Sequence, residues 1–425
     1  VYNPRILKQE VEMDNLTRIA RKITFILFVE QSLASAGFIA ASTLNSIVGA
    51  TLSHHSNWAG VPTAIYLLAG AFSAFAWGYI MDAIGRRGGL TLGLFLGVIG
   101  SAFAFIAIAQ TSFIFFLIGM IFMGVANAAV QLGRFAAAEV NPPDARGRAI
   151  SNVVIGGTFG AVFGPNLVGP MGILVKSIAG DELAGAYAVS FILFLIGMVA
   201  VYFGLRPDPR EIGREVAEKF PETQAGSGAV RSIREVLSQS AALTAVIAMS
   251  LGQVVMVLVM VITSLHMRDH DHMLRDISFV ISAHTLGMYA FSIISGRLAD
   301  RFGREPVILV GALTLILACL SATISPDVLP LSVALFLLGL GWNFCFVAGS
   351  ALFSDQLSQL ERSRMQGFSD LLVGLCSAVA SLSSGLIFAA VGYNMMAYVS
   401  AVISVVPLIV VVAWMMRKKE KMWVA

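Results

Sequence analysis

Apolar residues run along the chain in long blocks, and polar residues collect in the short stretches between them. The blocks fall roughly at 23–50, 60–82, 88–109, 113–138, 148–177 and 184–205, then at 240–266, 276–297, 306–324, 329–353, 368–391 and 394–416. Each is near or above the ~20 residues that carry an α-helix across the hydrocarbon core of a bilayer. The pattern predicts twelve transmembrane helices. Between the sixth and the seventh it breaks: from 206 to 238, Pro207, Pro209, Pro221, Gly226 and Gly228 stand among many charges. That stretch predicts a surface linker with a short helix. It would join a six-helix bundle over 1–205 to a second one over 239–425. The expected fold is an all-α membrane protein of twelve helices in two pseudo-symmetric six-helix bundles.

Composition agrees. Hydrophobic residues make up 57% of the chain and charged residues 12%, against ~25% charged in ordinary soluble domains. Such a chain needs lipid as its solvent. The placement of charge sets an expected orientation. With both ends of the chain on one side, only Lys176, Arg268 and Arg275 of the 28 Lys and Arg residues fall on the other. By the positive-inside rule the crowded side is cytoplasmic, which implies a multi-pass membrane protein with both termini cytoplasmic. Val1 to Lys22 is polar and charged, so no cleavable signal peptide is expected. Cys319, Cys345 and Cys376 all lie inside apolar runs without a CxxC spacing, and read as packing residues. No GxxxxGK[ST] loop and no catalytic triad occurs, so neither ATP-driven transport nor enzymatic activity is expected. The expected partners are membrane lipid and a transported ion or small solute, not nucleic acid, with no tightly bound cofactor.

The halves repeat. Gly78-Tyr-Ile-Met-Asp82-Ala-Ile-Gly85-Arg86 follows helix 2, and Gly296-Arg-Leu-Ala-Asp300-Arg-Phe-Gly303-Arg304 follows helix 8. Both read GxxxDxxGR. Arg146-Gly-Arg148 has a counterpart in Arg362-Ser-Arg364 at nearly the same offset, which argues for duplication. The doubled motif resembles the loop signature of the major facilitator superfamily, and the resemblance covers essentially the whole chain. It implies that Asp82, Arg86, Asp300 and Arg304 latch an inner gate. The aspartates would engage a helix N-terminus, and the arginines would tie their loops to a neighbouring helix.

Helix 7 places Met249, Met256, Met260 and Met267 on one face, and helix 8 places His284 and Met288 one turn apart. At 1.5 Å per residue, Met260 lies about 10 Å below the outer end of helix 7, and His284 about 12 Å below that of helix 8. Met256 and Met288 then fall level one turn deeper. Thioether and imidazole suit Cu(I), a soft ion. His266, Met267, His270, His272 and Met273 crowd the following loop, either as a collecting site for metal at the mouth of the pathway or as a polar loop. MxxxM in helix 7 with HxxxM in helix 8 resembles the CcoA-like copper importers, a bacterial branch of the superfamily. The resemblance implies Cu(I) as the transported ion and Met256, Met260, His284 and Met288 as its ligands. Close relatives with similar motifs are linked to riboflavin uptake, so the resemblance leaves the substrate open.

The alternatives are a carrier of riboflavin or another small organic solute, a proton-coupled drug antiporter, and a structural membrane subunit on a transporter scaffold. Aromatic lining in both halves would favour the organic solute. Gly156, Gly160, Gly164-Pro165 and Gly169-Pro170 in helix 5 read as a packing and bending face rather than an antiporter signature. Glu30 is the clearest carboxyl group inside an apolar run, a candidate for proton coupling. Arg134 and Glu139 read as a pair near the inner surface, and Asp370 as an ordinary acid opening helix 11.

Overall fold

The computed structural model describes residues 4–143, 145–220 and 231–424. Pro221, Gly226 and Gly228 of the expected linker lie outside the described residues. The described chain is helical between short turns, with no strand. Ten helices are long and apolar enough to cross a membrane. Two of them, Ser56–Ala109 and Arg364–Met416, hold 54 and 53 residues. That is about 80 Å of helix, more than twice the ~30 Å hydrocarbon core. Each is a pair of spans parted at one glycine, Gly85 (φ 82°) and Gly392 (φ 76°). Among the described residues the count is therefore twelve, with breaks where the apolar pattern puts them.

Helix 1 is Pro4–Ser53, helices 2 and 3 divide Val61–Ala109, and helix 4 is Phe113–Gln131 continued by Gly133–Glu139. Helix 5 is Arg146–Phe163 continued by Val168–Ala179, and helix 6 is Ala184–Gly204. Two short helices follow in the linker, Pro209–Lys219 and Ile233–Leu237. Helix 7 is Ser240–Asp269, helix 8 is Leu274–Tyr289 continued by Ser292–Phe302, helix 9 is Arg304–Ser321 and helix 10 is Val328–Asp355. Helices 11 and 12 divide Gln359–Val424. Asp370 therefore lies eleven residues into helix 11, about 16 Å from its start. It does not cap that helix, because the helix begins in the charged stretch before the apolar run.

The glycine face of helix 5 presses on helix 1. A side chain at Gly156, Gly160 or Gly164 would meet the backbone of Phe28, Ser32 or Ala36 respectively. The four-residue spacing on both helices lets the backbones touch, the packing mode of small residues in membranes.

The repeated GxxxDxxGR loops share an unusual backbone. Gly85 has φ 82° and ψ 167°, and Gly303 has φ 94° and ψ 161°. This region is essentially closed to residues with a Cβ. Asp208 of the linker fills the notch at the first loop. Its Oδ1 accepts from the Arg86 N–H and its Oδ2 from the Arg87 N–H, both at 3.1 Å. A carboxylate thus completes the free amides where helix 3 begins.

The far end of the linker is tied to the second half. Glu361, 1% exposed, accepts from the Arg231 side chain (2.7 and 2.8 Å), the Arg231 N–H (2.9 Å) and the Ser358 N–H (3.0 Å). The guanidinium foremost, then these N–H donors, hold the Glu361 carboxyl well below the usual carboxylate range. A carboxyl depressed on folding stabilises fully above its unfolded value. This contribution is therefore whole at neutral pH and lost only as the pH falls into the strongly acid range.

Gly85→Ala should destabilise the protein by about 1–3 kcal/mol, because alanine must adopt a backbone region it strongly disfavours. Its Cβ would also lie 2.4 Å from Asp208 Oδ2. Gly78→Ala, seven residues earlier in open space on the same helix, is the control and should be neutral or stabilising. Thermal unfolding in detergent compares the two, and equal shifts would refute the backbone reading.

Candidate functional site

The GxxxDxxGR loops and the linker share one face, here the linker face. On the opposite face the halves are sealed together. The Ser381 hydroxyl donates to the Gly60 carbonyl (2.8 Å), Asn166 Nδ2 to Ser282 Oγ (2.9 Å), and the Thr285 hydroxyl to the Ala161 carbonyl (3.0 Å). Arg268 of helix 7 pairs with Glu182, in the turn between helices 5 and 6, at 2.9 Å. Lys176 reaches the same carboxylate at 3.6 Å, and Arg275 packs on Gly169. The three cations expected outside thus all gather at this seam.

Toward the linker face the halves part around a cavity of about 620 Å³. Helix 2 lines it with Tyr66, Gly70 and Ala74, helix 4 with Asn127, Gln131 and Arg134, and helix 11 with Gln366, Asp370 and Gly374. Each set follows helical spacing of three or four residues, so each is one helix face. Arg134 and Asp370, from opposite halves, are close enough to interact electrostatically. Arg134 does not pair with Glu139. That carboxylate is taken by Arg86, in a two-pronged contact of 2.8 and 2.9 Å. A second cavity, about 640 Å³, lies inside the first half between helix 1, the start of helix 5 and the linker helix. Of these two, the first is walled by both halves.

Aromatic rings reach the seam from both sides. Phe38 and Tyr66 lie 6.1 Å apart in the first half. In the second, Tyr289 meets Trp342 edge-on at 6.3 Å, and Trp342 stacks on Phe346 at 4.9 Å. Tyr66 and Tyr289 come close enough to interact electrostatically. The Trp342 indole N–H donates to Gln253 Oε1 (2.5 Å), fixing the ring plane.

His284 is fully buried. Its Nδ1 lies 2.9 Å from the Leu335 carbonyl, which can only accept, so Nδ1 carries the proton. Nε2 has no partner among the described residues. Met288 is 8% and Met256 5% exposed, and Met260 is partly buried beside the same apolar core. Met249 has a packing role, its sulfur accepting from the Ser350 hydroxyl at 3.2 Å. Helix 8 breaks just after Met288, and Asn343 repairs the break by donating to the Met288 carbonyl (2.5 Å) and to Ser292 Oγ (2.8 Å).

The histidines of the helix 7–8 loop are only partly gathered. His266 stacks on Tyr393 (4.0 Å) and adjoins His270 (4.4 Å), while His272 bonds the Pro326 carbonyl. Met267 is buried, and Met273 is exposed. Among the described residues no three His, Cys, Asp or Glu side chains converge on a metal position. In the signature loops, Arg86 reaches Glu139 of helix 4 and Arg304 reaches Asp355 of helix 10 (3.1 Å). Asp82 and Asp300, 68% and 75% exposed, pair with the arginine of their own loop. The helix N-terminus beside Asp82 is taken by Asp208 instead. Glu30 is fully buried, its two oxygens without a partner among the described residues and Oε2 facing Gly133.

A profile of the Major Facilitator Superfamily matches residues 24–274 and 245–425, which together span nearly the whole chain. The chain belongs to the Major Facilitator Superfamily. Its members are carriers, not enzymes. Among its relatives, the uncharacterized MFS-type transporter YdeG of Bacillus subtilis is 32% identical over 396 residues, covering 93% of this chain and 92% of its own. The riboflavin transporter RfnT of Brucella anthropi is 28% identical over 394 residues, covering 92% and 96%. Among solved structures, a bacterial homolog to the human lysosomal transporter Spinster, inward-facing and occupied, matches with TM-score 0.70 at 14% identity, over 93% of this chain and 96% of its own.

Several residues of this major facilitator site were missed in the sequence. Asn127 and Gln131 form a polar stripe with Arg134 at i, i+4 and i+7, a signal that was readable, and Arg134 itself was read as a partner of Glu139. Asp208 and the tyrosine pair carried none, because only folding brings their partners near.

Glu182→Gln should weaken the seal by removing the Arg268 and Lys176 contacts. Arg268 and Glu182 are 40% and 25% exposed, so the pair is worth up to ~1 kcal/mol, no more than about fivefold in population. Thiol labelling at an Ala161→Cys reporter, whose backbone carbonyl keeps its bond from Thr285, should rise by up to that factor. An unchanged rate would show that the hydrogen bonds alone close this face.

Proposed function

We propose that this protein is a secondary transporter of a small, planar organic solute, with riboflavin as the leading example. The observation that carries the reading is the aromatic wall of the seam, to which Tyr66 and Tyr289 come from opposite halves. Flat solutes bind by stacking on such rings, at ~0.5–1.5 kcal/mol per pair beyond area burial. A metal ion gains nothing comparable from this wall. The relationship to a riboflavin transporter supports the same substrate class.

The linker face is the cytoplasmic face in this reading, both termini lie there, and the membrane is the bacterial cytoplasmic membrane. The open cavity is then the inward-facing state of an alternating-access cycle. Residues 1–205 and 239–425 rock as units about the seam. Asp82 and Asp300 are exposed because the inner gate is open, and they engage across the seam when it shuts.

A second reading, Cu(I) import, rests on His284. A metal-ligating histidine donates its other ring N–H to a carbonyl or carboxylate, and His284 does so to Leu335. Met256, Met260 and Met288 would be its companions.

One experiment separates the readings. Proteoliposomes containing the purified protein are tested for riboflavin and for copper uptake. Met→Leu at Met256, Met260 and Met288 together changes volume little but removes every thioether. Riboflavin uptake should persist within about twofold in the triple variant. Copper uptake by the parent that collapses in the variant, with no flavin uptake, would replace the first reading by the second.

Glu30 is the group we assign to proton coupling. A buried carboxyl without a partner takes up and releases a proton without breaking an ion pair, and ionisable groups inside a membrane are rarely idle. Glu30→Gln should abolish the pH dependence of uptake and leave solute binding measurable. A normal pH profile in the variant would make Glu30 structural.

A further inference from the structure

Arg134 and Asp370 face each other across the cavity and do not meet. They influence one another electrostatically, yet no ion pair within 4 Å joins them among the described residues, and Arg134 Nε has no hydrogen-bond partner. Both lie inside membrane spans, where ionisable side chains that face a cavity mark substrate pathways. Asn127, Gln131 and Gln366 add amide groups to the same walls.

The two groups are complementary to different atoms. A guanidinium only donates hydrogen bonds, and an ionised carboxylate only accepts them. A solute edge that bridges them must offer an acceptor to Arg134 and, beside it, an N–H to Asp370. A carbonyl next to an imide N–H has that order. The uracil-like edge of a flavin carries it, at the end of a flat ring system. Tyr66 lies up the same wall, eight residues before Ala74 on helix 2, or about 12 Å. That separation suits a three-ring solute with its polar edge at the charged pair and its apolar end near the aromatic rings.

We propose that Arg134 and Asp370 are the specificity-determining residues of the transporter and read an imide edge on its solute. Arg134 donates to the ring carbonyl, and Asp370 accepts from the imide N–H. The inference rests on the planar organic solute proposed above and goes further by naming the functional group recognised.

The test uses the purified full chain and two ligands, riboflavin and N3-methylriboflavin, whose imide N–H is replaced by a methyl group. Binding is followed by quenching of flavin fluorescence. Losing one hydrogen bond to a charged group corresponds to at least about tenfold in affinity, so riboflavin should bind at least tenfold more tightly. In Asp370→Ala the preference should collapse, with riboflavin falling to the level of the methylated ligand. Arg134→Gln should weaken both ligands alike, since both keep the carbonyl. Asp370→Leu, which has no acceptor, replaces the alanine variant if that one does not fold, and should lose the preference likewise.

Equal binding of the two flavins by the unaltered protein would overturn the imide inference and leave an organic-solute carrier standing. A preference that survives in the Asp370 variants would overturn the assignment to that residue. Failure of the unaltered protein to bind either flavin would overturn this inference together with the flavin reading it rests on.

Discussion

Every peptide group that crosses the lipid must find its hydrogen-bond partner inside the protein, since the hydrocarbon offers none. Helices satisfy this along their length, and the difficulty is confined to the places where they break. Those places organise the structure. Where helix 2 turns into helix 3, Gly85 takes a backbone shape that alanine cannot share, and Asp208 accepts the amides left over. Where helix 8 breaks after Met288, Asn343 of helix 10 reaches the orphaned carbonyl. At these two breaks a polar side chain supplied by another segment fixes the turn and ties two elements together.

The same economy explains how the two halves are held. They share few polar contacts, and those described lie at the face away from the linker: Ser381 to Gly60, Asn166 to Ser282, Thr285 to Ala161 and Arg268 to Glu182. Each is a single hydrogen bond or a partly exposed ion pair, about 1 kcal/mol apiece. A seal of that kind holds one state and can be released by a modest difference in solute binding. The linker is anchored more firmly, by Asp208 at one end and the Arg231–Glu361 cluster at the other.

The cavity sets two chemistries side by side. Tyr66 lines it on the side away from the linker and comes near Tyr289 of the other half, and Arg134 and Asp370 stand nearer the linker face. The buried imidazole of His284, bonded through Nδ1 and bare at Nε2, belongs to the second half alone. The organic-solute reading rests on the first group and the soft-metal reading on the second, so one protein carries the grounds for both. The walls that belong to both halves are those that must come apart and re-form in transport, which is why they weigh more.

Twelve spans, the break at Gly85 and the doubled loops with their special glycines were all legible from residue order. Each depends on neighbours in sequence: a run of apolar residues, a glycine after a helix, a motif repeated 218 residues on. Helical periodicity also put Met256 with Met260 and His284 with Met288. It carried no information on which helix faces which, because rotation about a helix axis is set by packing in three dimensions. The tertiary structure alone gave Glu139 to Arg86 instead of Arg134, moved Asp370 from a helix start to a cavity wall, and brought Asp208 to helix 3. It also set Arg134 opposite Asp370, 236 residues apart in the chain. Sequence determines which segments enter the membrane, through transfer energies that act residue by residue. The pairing of charges across the seam is decided by close packing of helices distant in the chain, and no local pattern encodes it.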